Sequence, residues 1–145
     1  EPQVHSQIPD FTIGKGVTLE HGTDVALLSV GNMLSVAKEV STRLRKFGIS
    51  PCLVSLHTIK PLDDDLLSRL FLDCKKVVVI EEHGLAGGAG SAILEWANAK
   101  EVDASKVVCF GVKDAFLTAC GSQEEARCLL KLDADSIISS VQEYF

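Results

Sequence analysis

Val77-Val78-Val79-Ile80 runs straight into Glu81-Glu82-His83-Gly84-Leu85-Ala86-Gly87-Gly88-Ala89-Gly90 and then Ser91-Ala92-Ile93-Leu94-Glu95-Trp96-Ala97. The first piece is an unbroken β-branched run, the strongest strand signal in the chain. The last places Ala92, Ile93, Trp96 and Ala97 at helical spacing. A strand with no polar alternation is covered on both faces, as in a parallel sheet. A strand, a glycine turn and a helix therefore read as half of a βαβ unit.

The same unit recurs on both sides. Val25-Ala26-Leu27-Leu28-Ser29-Val30 precedes Gly31-Asn32 and a helix carrying Met33, Val36, Ala37, Val40, Leu44 and Phe47 on one face, with Gly48 as its stop. Cys52-Leu53-Val54-Ser55-Leu56 precedes His57-Thr58-Ile59-Lys60-Pro61-Leu62 and a helix opened by Asp63, Asp64 and Asp65. Its apolar side is Leu66, Leu67, Leu70 and Phe71. Val107 to Val112 forms the last such strand, followed by Lys113-Asp114. Ser122-Gln123-Glu124-Glu125 fits a capping box for a helix ending near Leu132, and Asp135 is read as the cap of a terminal helix with Ile137, Ile138, Val141 and Tyr144. Phe11-Thr12-Ile13 and Val17-Thr18-Leu19 read as short extended pieces around Gly14-Lys15-Gly16, and residues 1–10 as a linker or cut end. Strands alternating with helices predict a three-layer α/β/α sandwich around a mostly parallel sheet, with residues 11–145 as one domain.

Composition narrows the function. Of 145 residues, 46% are hydrophobic and 23% charged, the profile of a globular domain and not of a disordered chain. A net charge of −6 argues against nucleic acid as a partner. No apolar run approaches the ~20 residues of a membrane helix, and the first residues lack a signal-peptide pattern. The five cysteines include no C-x-x-C pair, so they read as reduced thiols in a cytoplasmic protein.

In an open parallel sheet, ligands sit beyond the carboxyl ends of the strands. That edge gathers Gly31, Asn32, His57, Thr58, Lys60, Glu81, Glu82, His83, Lys113 and Asp114. Histidines and carboxylates there suit acid/base work or contact with a partner, although any such edge is polar where it meets water. The loop holding Gly84, Gly87, Gly88 and Gly90 reads first as a device for close helix–strand packing, and second as an anion site at a helix N-terminus. It is not a dinucleotide fingerprint, because Ile93 stands where a third small residue is needed, and no Gly-Lys-Ser/Thr makes it a P-loop. Ser91 lacks a G-x-S-x-G frame, Trp96 reads as core, and His5 and His21 as exposed loop residues. The carboxylates Asp63–Asp65 read as a solvated helix start before a cation site.

Four stretches in order resemble the C-terminal domain of transketolase: Gly14-Lys15-Gly16-Val17-Thr18-Leu19-Glu20-His21-Gly22-Thr23-Asp24-Val25, His57-Thr58-Ile59-Lys60-Pro61-Leu62-Asp63, Val79-Ile80-Glu81-Glu82-His83 with Gly87-Gly88-Ala89-Gly90-Ser91-Ala92, and Gly111-Val112-Lys113-Asp114-Ala115-Phe116. Together they cover about residues 11–145. One departure is Leu117, where such chains commonly have the first glycine of a Gly-x-x-Gly turn, of which Gly121 is retained. The resemblance implies a five-stranded mixed sheet with one antiparallel strand. It also implies a parent enzyme that transfers two-carbon ketol units between sugar phosphates, as in the pentose phosphate pathway. Relatives are deoxyxylulose-phosphate synthase and the β subunit of 2-oxo-acid dehydrogenases. In these enzymes preceding domains or subunits hold thiamine diphosphate and magnesium, and the parent is a homodimer. The diphosphate/magnesium motif is missing here, as no Gly-Asp pair occurs. The resemblance thus implies no catalytic, cofactor or metal residue in this chain, and a role in dimer packing and active-site support. The alternatives are the C-terminal domain of a deoxyxylulose-phosphate synthase, or of a 2-oxo-acid dehydrogenase β subunit that contacts an acyltransferase core, and a regulatory small-anion module; His57, Lys60, Glu82, His83, Gly87, Gly88, Gly90 and Asp114 form the candidate ligand or interface edge.

Overall fold

The structure is a computed structural model and describes Val4, residues 9–118 and residues 120–145. The five-stranded sheet has the order β1-β3-β2-β4-β5. Its strands are β1 (Val17–Glu20), β2 (Val25–Ser29), β3 (Pro51–Ser55), β4 (Lys76–Gly84) and β5 (Val107–Val112). Only β1, on one edge, runs antiparallel, against β3; all other pairs are parallel. The sheet is therefore mixed, with a parallel body.

Successive strand residues point to opposite faces, so each buried strand feeds two cores. On one face Val25, Leu27, Leu53, Val78 and Ile80 meet α1 (Leu34–Lys46) and α5 (Ala134–Gln142) through Ala37, Val40, Leu44, Ile137, Ile138 and Val141. On the other, Ala26, Leu28, Val54, Val77 and Val79 meet α2 (Asp64–Asp73) and α3 (Ala89–Ala99) through Leu66, Leu67, Leu70, Ile93 and Ala97. This is the three-layer sandwich expected. Each fully buried leucine or valine contributes about 1.5–3 kcal/mol.

Local chemistry sets the ends. Ser122 and Glu125 form the expected capping box of α4 (Gln123–Leu130). Asp63 caps α2, accepting from Leu66 N, and is itself buried. It also takes the Gly16 amide at 3.0 Å and Lys15 Nζ at 3.2 Å, which ties the loop before β1 to α2. Asp64 accepts from Trp96 Nε1 at 2.7 Å and from Lys100, while Asp65 accepts from Lys15. All three acids thus have partners within the chain.

Several boundaries differ from the sequence reading. Phe11–Ile13 forms no strand. The cap of α5 is Asp133, not Asp135: its carboxylate accepts the Ser136 amide at 2.9 Å and the Ser136 hydroxyl at 2.7 Å, while Asp135 pairs with Arg43. Helix α4 stops at Leu130, turned by Lys131 in the left-handed region. Trp96 is half-buried, 5.2 Å from the Phe71 ring and tethered to Asp64, so it roofs the core edge and does not fill it. Most of the linker reading at residues 1–10, and His5, lie outside the described residues. Cys52 and Cys74 are buried, with burial pushing the Cys74 thiol up to about 11. That is the behaviour of inert thiols. No described helix is long and apolar enough to cross a membrane.

Candidate functional site at the carboxyl edge

Parallel strands β3, β2, β4 and β5 end side by side. The chain leaves β2 toward β3 and leaves β4 toward β5, in opposite directions, which makes the gap between the ends of β2 and β4 the switch point of the sheet. Asn32 stands after β2 and Glu82 near the end of β4, and their side chains meet there.

The two adjacent glutamates take opposite directions because strand side chains alternate. Glu81 turns inward and is 2% exposed. Its carboxylate accepts the Ala89 amide at 2.7 Å and the Gly90 amide at 2.9 Å, the first amides of α3. The chain thereby places its own anion at a helix N-terminus, where the dipole favours one. This requires glycine. A Cβ at Gly88 would lie 2.6 Å from both Glu81 oxygens, and one at Gly90 would lie 2.5 Å from Cys109 Sγ. Gly87 has φ +80° and gives its amide to Ser91 Oγ at 3.0 Å, while the Ser91 hydroxyl donates to Leu85 O. The Gly87, Ala89 and Gly90 amides are engaged within the chain and the Glu81 carboxylate already occupies the helix N-terminus, which does not fit a second anion such as the diphosphate of a thiamine cofactor. This geometry carries the packing reading of Gly88 and Gly90, whereas Gly87 has open space beside it and is required for its positive φ. It also gives Ser91 a loop-holding role.

Glu82 turns outward. It accepts from Asn32 Nδ2, from Gln123 Nε2 at 3.1 Å and from Arg127 Nε. Burial pushes its carboxyl up, but Arg127, Asn32 and Gln123 outweigh that and hold it below the ordinary range. Gln123 and Arg127 were not singled out from sequence. The only signal was an arginine between Ala126 and Leu130 on the inner side of an amphipathic helix.

The other edge residues are spread along the sheet. His57 follows β3; its Nδ1 is 2.8 Å from Thr58 Oγ1, its ring centroid is 4.3 Å from that of Phe11, and its Nε2 is buried without a partner among the described residues. Lys60 is exposed at the cis Lys60–Pro61 bond. His83 is exposed and donates from Nδ1 to Gly84 O at 3.0 Å. Strand β2 separates β3 from β4, about 10 Å at the usual strand spacing, so His57, just past the end of β3, and His83, in β4, belong to non-adjacent strands. Asp114 lies with Lys113 and Phe116 against Gly84–Ala86, around a cavity of 340 Å³. Phe116 is 98% exposed.

The family model for the C-terminal domain of transketolase matches residues 14–137. The 1-deoxy-D-xylulose-5-phosphate synthase of Halothermothrix orenii is 38% identical over 95% of this chain. That of Psychromonas ingrahamii is 34% identical over 99%. This chain spans about a fifth of those relatives, 22% of each. Among solved structures, a split-gene transketolase chain described as an inactive β4 tetramer superposes with TM-score 0.86 at 32% identity. That match covers 99% of this chain and 46% of the other. A transketolase from Pichia stipitis, at TM-score 0.64 and 18% identity, shares the fold. From the ordered motifs, the mixed sheet and these matches, the chain belongs to the transketolase C-terminal domain family.

Proposed function

We propose that this chain is the C-terminal part of a thiamine diphosphate-dependent enzyme that transfers two-carbon ketol units between sugar phosphates, with this domain serving dimer packing and active-site support. The observation that carries the reading is the match to the split-gene transketolase chain over 99% of this domain. Thiamine diphosphate and magnesium are then held by preceding domains or a companion subunit in a cytoplasmic homodimer, and residues 11–145 form the supporting unit. The edge holding His57, Lys60, Glu82, His83 and Asp114 then faces those domains, because the loops at the carboxyl ends of parallel strands are where an open α/β sheet presents its ligand- and partner-contacting side chains. Identities of 34–38% to synthases favour a second reading, formation of 1-deoxy-D-xylulose 5-phosphate by the parent.

An immunoblot of source cells with an antibody to this domain tests the proposal. A band of about two to three times this chain's size fits a split subunit, and one of about four times or more fits a single-chain parent. A band at this chain's own size overturns it. Assay of the purified parent for ketol transfer against deoxyxylulose-phosphate formation then separates the two readings.

A further inference from the structure

Helix α4 is seated unlike its neighbours. Helix α1 buries Leu34, Ala37, Val40, Ser41 and Leu44, whereas no residue of α4 is buried. Leu130 packs only partly against the core. Space lies on both sides of the helix. A groove of 620 Å³ separates it from Asn32, Ser35, Val36 and Glu39, and a cavity of 230 Å³ separates it from Val112 and Leu132. Its C-terminal end turns at Lys131, φ +58°, and the next residue, Leu132, is 1% exposed and anchored in the core. Its hold on the sheet end is polar. Gln123, at the first turn, and Arg127, one turn on, both reach the Glu82 carboxylate. The Arg127 and Glu82 side chains keep 14% and 26% of their surface exposed.

We infer that α4 is a hinged lid over the switch-point crevice, latched by Glu82 and able to open about Lys131 while the sheet and its other helices stay folded. Opening joins the two spaces into one groove with Asn32 and Glu82 on its floor. Elements with few buried apolar groups open at lower free energy than core strands. A partly screened, hydrogen-bonded charge pair is then what sets the opening equilibrium.

Native-state hydrogen exchange on the 145-residue chain tests this. The α4 amides are expected to exchange at least about a hundred times faster than those of β4. Arg127→Gln is expected to speed the α4 amides by a further factor of about ten and leave β4 unchanged. Glu82→Gln, outside the helix, is expected to do the same, which separates the latch from helix propensity. Exchange of α4 and β4 together, through global unfolding, overturns the lid. A variant that moves neither, or moves both by one factor, overturns the latch.

Discussion

Replacing Glu81 by Gln probes the contact that organises the glycine loop. The side chain is 2% exposed and accepts two amides at 2.7 and 2.9 Å. Glutamine keeps the shape but offers one carbonyl oxygen, so its NH2 faces one of those N–H donors. A hydrogen bond to a charged group contributes about 1.5–3 kcal/mol, and an unsatisfied buried donor costs about 1–3 kcal/mol. Loss of the anion at the α3 N-terminus adds up to about 1 kcal/mol. These terms overlap, and about 3 kcal/mol is the expected loss. For a domain of this length that lowers Tm by about 6–12 °C. Urea and thermal unfolding by circular dichroism read the change directly. A loss below about 0.5 kcal/mol, with α3 intact, would refute the carboxylate's role as the cap that fills the loop.

Three other outcomes follow from the same geometry. Lys131→Gly removes a Cβ from a left-handed residue at φ +58°, and is expected to raise unfolding free energy by about 1 kcal/mol. If Asp133 is the cap of α5, Asp133→Ala costs about 1 kcal/mol in urea unfolding, whereas Asp135→Ala, which removes an exposed pair with Arg43, costs at most about 0.5 kcal/mol. Asp63 and Glu82 are both held below their ordinary values of 3.8 and 4.5, since donors outweigh burial at each. Their contribution is fully present above those values and is lost as pH falls through the lower folded ones. Stability is therefore expected to decline from about pH 4.5 downward, and less steeply in Glu82→Gln.

The parallel strands were legible because burial on both faces leaves a run such as Val77–Ile80 with no polar interruption. Ser122 and Glu125 were legible because a capping box is local. The cap of α5 was not, since Asp133 and Asp135 offer the same carboxylate two residues apart; Ser136 adds its hydroxyl to one of them, and Arg43, distant in sequence, takes the other. Glu81 and Glu82 look alike in sequence. Which one turns inward depends on the register of β4 and on where α3 begins, and both are tertiary facts. Arg127 joins Glu82 across 45 residues, a separation at which no spacing rule operates. His57, Lys60 and His83 were legible as edge residues, because strand ends were legible, but the order β3-β2-β4 that keeps the histidines apart is a property of topology.

Under the proposed function this domain supports a thiamine enzyme and does not itself hold the cofactor, its glycine loop being filled by Glu81. Calorimetric titration of the 145-residue chain with thiamine diphosphate and magnesium tests it most directly. The result expected is no saturable heat at millimolar ligand. Saturable binding, weakened by a substitution in the 84–90 loop, would contradict it.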